Sequence, residues 1–276
     1  MIVGSSAVPP TSDTAAEPSI TAATPSLHND QAVFAALADR GYPDEAVRDW
    51  SATGCVEPTI TGKHYGHTNC MLLNMVAPME MALNNGRHPL MDWKIGPDTG
   101  RVEEDAFQTF DQFFDAFEKQ MGFLIEQSVA YNEMLAKAHQ EIRPTPMLST
   151  LIGDCIRSGR DVTRGGARYN SSGAACIGLA DVTDSLLVIK KLVFDEGKVS
   201  FAGLKRAIDT NFENDPALLA TVTRKVPLFG SGSEAAVAMA NRVTRFVHDS
   251  YGRQPHYRGG CYTAGFWSMS NHVAYG

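Results

Sequence analysis

The sequence predicts a mixed α/β fold, and three observations carry the prediction. Helical spacing of apolar residues recurs along much of the 276-residue chain, the segments between these stretches are short and rich in glycine, and two runs, 174–180 (AACIGLA) and 261–276, read as strands or extended loops. No internal repeat interrupts this pattern. With 43% hydrophobic and 20% charged residues, the composition is that of an ordinary globular protein, long enough to bury a substantial core. The balance of 24 Lys+Arg against 31 Asp+Glu leaves a net charge of -7, so no global field draws phosphate backbones or anionic lipid, and nucleic acid is not an expected partner.

The elements follow in order. Residues 2–26 are Ser, Thr, Ala and Pro in quick succession with almost no charge, and a disordered leader is expected over 1–24. Helical spacing starts at Leu27, with Asn29 or Asp30 available as N-cap, and should stop near Gly41. The run from Asn69 to Leu83 is apolar nearly all round and reads as a buried helix ended by Asn84-Asn85-Gly86. The longest helix is expected over about 103–140, with Phe107, Phe110, Phe114, Phe117, Met121, Leu124, Tyr131, Leu135 and Ala138 as its core stripe and Glu103, Glu104 and Asp105 at the positive end of its dipole. Further helices are expected near 145–157, 181–195, 200–212 and 233–251. No apolar run approaches the about 20 residues of a membrane-spanning helix, and the N-terminus lacks the basic start and apolar core of a secretory signal.

The five cysteines, at 55, 70, 155, 176 and 261, are odd in number and contain no CxxC pair, which suggests a reduced, cytoplasmic protein without a disulfide framework or a zinc site. Two of them lie in the segment 53–70 (TGCVEPTITGKHYGHTNC), which also holds Glu57, Lys63, His64 and His67. Such density on a connector between two predicted helices makes it the best site candidate. Three other readings stand beside it: a simple turn, a metal site built from His64 and His67 with Cys55, Glu57 or Cys70, and a Cys-His hydrolase with Cys55 as nucleophile. The glycines of 165–178 match neither a P-loop nor a dinucleotide fingerprint.

The segment Gly54-Cys55-Val56-Glu57-Pro58, with PSLHND (25–30) before it and Gly62-Lys63 and LNNG (83–86) after it, resembles the active-site segment of the glycyl radical enzymes. GPDTG (96–100), GRDVTRGGARYN (159–170), DSLLVIKKLVFDEGKVSF (184–201) and the closing TAGFWSMSNHVAYG resemble the same pyruvate formate-lyase-like family, so the likeness covers residues 25–276 in order. It implies part of a ten-stranded α/β barrel around a cysteine-bearing loop. It also implies radical chemistry: a radical-SAM activating enzyme with an iron-sulfur cluster makes a backbone glycyl radical, which converts Cys55 to a thiyl that takes a hydrogen atom from a small-molecule substrate. No bound cofactor or metal is implied, and the full-length form is expected to be a homodimer.

Side chains at i and i+2 of an extended segment point the same way, so Glu57 can face the substrate of Cys55 and act as general base. The Cys-x-Glu pattern is that of the dehydratase and C-X lyase branches, which act on choline, isethionate, glycerol or propanediol, and hydroxyproline. True pyruvate formate-lyases carry two adjacent cysteines, whereas Gly54 and Val56 flank Cys55 here. The arylacetate decarboxylase branch also has Cys-x-Glu, with a histidine shortly after the helix stop where His88 stands. No Arg-Val-x-Gly-[Tyr/Phe] motif for the radical glycine occurs; the nearest string, Arg242 to Phe246, has Arg245 in place of the glycine. The C-terminal radical domain is therefore expected to be absent from 25–276. As an isolated polypeptide the chain is expected to be poorly soluble and without turnover, either a fragment of such a lyase or a truncated, non-catalytic remnant.

Overall fold

In the computed structural model, residues 28–54 and 57–267 are described; the expected leader, Cys55, Val56 and the segment 268–276 lie outside them. Helix α1 (Asp30–Ala38) starts where the capping signal places it, with Asn29 Oδ1 accepting from the Ala32 N–H at 3.2 Å, and the chain leaves it through Gly41 at φ +80°. A single turn, α2 (Asp44–Val47), leads into an antiparallel hairpin of β1 (Trp50–Thr53) and β2 (Glu57–Ile60), registered from Trp50↔Ile60 to Thr53↔Glu57. The Trp50 indole N–H donates to Asp30 Oδ1 at 3.1 Å and ties this hairpin to α1. The candidate segment is thus a hairpin and a short strand rather than a loop between helices. Its strands escaped notice because β1 is largely exposed and β2 carries Pro58, so neither alternates cleanly.

Strand β3 (His64–Tyr65) and strand β4 (Met71–Asn74) lie parallel to the same neighbour, β5 (Tyr169–Ile177). Between them the chain bulges, with His67 and Asn69 at φ +41° and +57°, yet keeps its ladder: Gly173 N–H donates to His67 O at 3.2 Å and Cys70 N–H to Gly173 O at 2.8 Å. The run 69–83 is accordingly not one helix: its first half is β4 and only Val76–Leu83 is helical (α3). A strand in a parallel sheet is a continuous apolar run, which periodicity alone cannot separate from a buried helix. Strand β6 (Cys261–Phe266) pairs with β5 in parallel from Ser171↔Cys261 to Cys176↔Phe266.

Helix α4 (Phe110–Ile142) begins seven residues later than expected because Thr109 and Gln112 form a reciprocal capping box; Val102–Glu104 is a separate 3₁₀ turn. Phe113, Phe114, Phe117, Met121 and Ile125 are fully buried, each Phe contributing roughly 1.5–3 kcal/mol. Beyond Ile125 the buried face runs through Val129, Asn132 and Ala136, so Tyr131 and Leu135, expected in the core, are 60% and 68% exposed. Asn132 is satisfied by donating to the Tyr262 hydroxyl at 2.8 Å.

The helix expected over 145–157 is broken in two, α5 (Pro146–Leu151) and α6 (Cys155–Ser158), around Gly153 and Asp154 at φ +77°. The helix expected over 181–195 is α7 (Leu179–Val188), which continues as a π-helix over Ile189–Asp195. Then follow α8 (Phe201–Asp209), α9 (Pro216–Lys225) and α10 (Glu234–Gly252). The sequence reading passed over α9, although Asp215-Pro216 is a helix start; Asp215 Oδ1 accepts from Leu218 N–H at 2.9 Å. Ala174, Cys176 and Tyr262 of the parallel sheet pack with Phe113, Leu186, Val243 and Val247 of these helices in one core. The opposite face of the sheet is left for the site.

Asp161 organises the approach to β5. Its carboxylate accepts from Thr145 N–H and Oγ1–H, Ser149 Oγ–H, and Thr163 N–H and Oγ1–H, all between 2.6 and 3.0 Å. Burial disfavours the charge, but these donors outweigh it and hold the carboxyl at about 2. In the unfolded chain the group titrates near ~3.9, so its stabilisation is complete above about pH 5 and is lost as the pH falls through 4 towards 2. Asp161→Ala is expected to lower unfolding free energy by roughly 1–3 kcal/mol in urea denaturation at neutral pH; an unchanged midpoint would contradict this role.

Candidate functional site

A cavity of about 410 Å³ lies on the sheet face away from the α4, α7 and α10 core, lined by Val33 and Leu37 of α1, Arg40 of the turn after it, Glu57 and Pro58 of β2, His64, Thr68 and Asn69 of the β3–β4 segment, Ser171 and Gly173 of β5, and Thr263, Gly265 and Trp267 of β6 and the residue after it. The strands supply these groups because odd-numbered residues of β5 and β6 point away from the helix core. Gly173 leaves room for the bulge, since a Cβ there would meet Thr68 Cα at 3.3 Å.

Glu57 is the first residue of β2 and lines this cavity. Its Oε2 lies 2.9 Å from where a Cβ on Gly54 would stand, so the carboxylate folds over the residue that precedes Cys55. Gly54 itself has φ +65°, a left-handed conformation that glycine adopts without strain. Cys55 belongs to the connection between β1 and β2, outside the described residues. The hairpin therefore puts Glu57, one of the two expected catalytic residues, in the cavity wall.

His64 is buried, and its Nε2 lies 2.9 Å from Ser171 Oγ. His67 stacks on Tyr65 with ring centroids 5.9 Å apart, and His256 Nε2 lies 2.9 Å from Ser172 Oγ. All three imidazoles are pushed down to about 4, first by burial and then by the positive charge of Arg258. Arg258 is 5% exposed and sits between the Tyr65 and Tyr257 rings at 4.8 Å from each; it donates to Ser171 O, Ser172 Oγ and the Tyr257 hydroxyl. Burial pushes the Cys70 thiol up to about 11, which leaves it protonated and unreactive. Among the described residues no group of three or more His, Cys, Asp or Glu side chains is placed to hold a metal ion. His88 does not reach the cavity wall; its Nδ1 accepts from the Leu90 and Met91 N–H groups at 3.2 Å and closes its own turn.

Reading the sequence missed Arg40, Asn69, Thr263 and Trp267 as cavity residues and Arg258 as a buried cation. The positive φ of Asn69 and the approach of β6 to β5 are tertiary effects with no local signature, whereas Gly259-Gly260 before β6 hinted at close backbone contact. A Cβ on Gly260 would meet Asn170 O at 1.8 Å.

A parallel sheet with helices on one face and a Cys-x-Glu hairpin beside a cavity on the other defines part of a glycyl radical enzyme barrel. The chain belongs to the pyruvate formate lyase-like family, whose model matches residues 10–276. It is 32% identical over 253 residues to the trans-4-hydroxy-L-proline dehydratase of Clostridioides difficile and 33% identical over 258 residues to the (2S)-3-sulfopropanediol dehydratase of Klebsiella oxytoca, covering 91% of this chain in both cases. The glycerol-bound glycerol dehydratase from Clostridium butyricum superposes with a TM-score of 0.86 at 31% identity, over 92% of this chain and 32% of that one. A glycyl radical enzyme from Archaeoglobus fulgidus superposes with a TM-score of 0.83 at 28% identity, over 90% of this chain and 31% of that one. The chain spans about a third of the length of these curated relatives, 32% and 30%. No helix among the described residues is long and apolar enough to cross a membrane.

The buried histidines set an acid limit. Each binds its proton near ~6.5 when unfolded but only near 4 in the fold, so between these values the unfolded state holds more protons and stability falls as the pH is lowered. Asp184, pushed up to about 6 by burial, works in the opposite sense, as do Glu80 and Glu118, which burial also raises, whereas the lowered carboxyls of Asp98, Glu103, Asp161 and Glu196 act with the histidines. The melting temperature is expected to drop on acidification from pH 6.5 to 4, and His256→Gln to flatten that drop; a flat profile in the wild-type chain would contradict the burial of these rings.

Proposed function

We propose that this chain is the catalytic-cysteine portion of a glycyl radical lyase that cleaves a C-O, C-N or C-S bond of a small hydroxylated substrate. The observation that carries the reading is the Glu57 carboxylate, which lines the cavity and lies over the residue before Cys55. Dehydratases are prominent among the relatives, and an isethionate sulfite-lyase of Desulfovibrio desulfuricans is 29% identical over 233 residues. A glycyl radical, installed by a radical-SAM iron-sulfur activating enzyme, supplies the oxidising equivalent that makes Cys55 a thiyl.

In this scheme Cys55 Sγ takes a hydrogen atom from the substrate carbon bearing the hydroxyl. Glu57 accepts the hydroxyl proton as the adjacent C-X bond breaks and X leaves with the bonding pair. The resulting carbonyl compound, still a radical, takes its hydrogen atom back from the Cys55 thiol, so the thiyl is regenerated and no external reductant is consumed. Proton acceptance by a positioned carboxylate contributes roughly 10²–10⁴ in rate. Glu57 is the carboxylate among the residues that line the cavity. A decarboxylase reading has the weaker support, because His88 is engaged in its own turn. Full-length activity, homodimer formation and a cytoplasmic location belong to the same proposal.

In the complete, anaerobically activated enzyme, Cys55→Ala is expected to keep the glycyl radical EPR signal and lose turnover. Glu57→Gln should keep the signal and lower kcat about 10²-fold or more. Turnover retained by Cys55→Ala would overturn the thiyl assignment, and wild-type kcat in Glu57→Gln would remove the carboxylate from the mechanism.

A further inference from the structure

Gly54 opens the three-residue connection 54–56 between β1 and β2, next to the closing pair Thr53↔Glu57. It is left-handed, at φ +65°, which by itself would account for a glycine. That account is incomplete, because Asn69, Asn85, Asp92 and Asp105 hold φ between +52° and +57° in the same chain. The space beside Gly54 sets it apart. At Gly41, Gly62, Gly159 and Gly259, which are also left-handed, a Cβ would meet nothing within 4 Å. At Gly54 it would meet Glu57 Oε2 at 2.9 Å and Glu57 Cδ and Oε1 at 3.4 Å, so the carboxyl group occupies the place of the missing side chain. Among the described left-handed glycines, no other has a carboxylate as its nearest neighbour. The register that sets Gly54 against Glu57 is pinned by the Thr53 and Thr59 hydroxyls, 2.6 Å apart across the hairpin, and by Thr59 Oγ1–H, which donates to Ser51 O at 3.3 Å.

We infer that Gly54 is a positioning residue for the Glu57 base: its absent side chain is the seat of the carboxylate, which rests against the residue before Cys55 while lining the cavity. The inference deepens the proposed function and rests on Glu57 being the base of that reaction. Any Cβ at position 54 drives Oε2 from 2.9 Å to at least the 3.4 Å at which ordinary contact begins, a displacement of about 0.5 Å. Proton transfer depends on hydrogen-bond reach, and small misplacements of a catalytic group cost rate. Asn at position 54 accepts the left-handed backbone and removes only the seat, so it separates the two demands on this residue.

In the complete, anaerobically activated enzyme, Gly54→Asn is expected to keep the glycyl radical EPR signal and lower kcat about 10-fold or more. A double-mutant cycle separates the seat from a general effect on the turn. Added to Glu57→Gln, which has already lost the base, Gly54→Asn should lower kcat by no more than about 2-fold. Losses that multiply in the double variant, or wild-type kcat in Gly54→Asn, overturn the inference and leave the base reading standing. Wild-type kcat in Glu57→Gln overturns the base reading and the role of Gly54 with it, an outcome distinct from the other two. Should Gly54→Asn fail to fold, a crystal structure of the complete wild-type enzyme decides. Its Glu57 carboxyl atoms are expected within about 4 Å of Gly54 Cα, and a carboxylate turned away from Gly54 overturns the inference.

Discussion

Strand β5 is the constraint on which the rest depends. From Ser171 to Ile177 it is buried on both faces, and small side chains, Ser, Gly, Ala and Cys, make most of that run. Their size lets the helix core approach from one side while the bulged β3–β4 segment and α1 approach from the other. The strand also pairs on both edges, with β3 and β4 on one and β6 on the other, so the walls of the cavity that these strands make are registered against it. A one-residue slip would exchange the core face for the cavity face along the whole strand.

Arg258 fastens these strands at their N-terminal ends. A cation that is 5% exposed is costly unless its donors are used. Here it bridges β5 through Ser171 and Ser172, β3 through the Tyr65 ring and the approach to β6 through Tyr257. Among the described residues no carboxylate forms an ion pair with it, so its field acts on the neighbouring imidazoles and keeps them neutral. The charge that secures the sheet thereby also sets the protonation of the cavity wall.

How much was legible in the sequence depends on how local the cause is. The α1 cap at Asn29 and the Asn84-Asn85-Gly86 stop are local and were readable; the extended run expected over 174–180 caught only the end of β5, which spans Tyr169–Ile177, while Leu179 already starts α7. The split of 69–83 into strand and helix was not, because pairing with β5, about a hundred residues away, decides it. The same holds for Tyr131 and Leu135: both keep the spacing of the Phe stripe, but the face of α4 that meets the sheet shifts to Val129, Asn132 and Ala136. For the site, the dense 53–70 segment and the roles proposed for Cys55 and Glu57 came from residue types and a family resemblance. The cavity's remaining wall came from α1, β5 and β6, which only the fold brings together.

The central claim is that Cys55 and Glu57 serve one cavity across the β1–β2 turn. Its most direct test is an anaerobic crystal structure of the complete enzyme with propane-1,2-diol bound. The account predicts Cys55 Sγ in van der Waals contact with a ligand carbon and a Glu57 carboxylate oxygen hydrogen-bonded to the hydroxyl on that carbon. A structure in which Cys55 Sγ points away from the cavity, or the diol lies elsewhere, would contradict it.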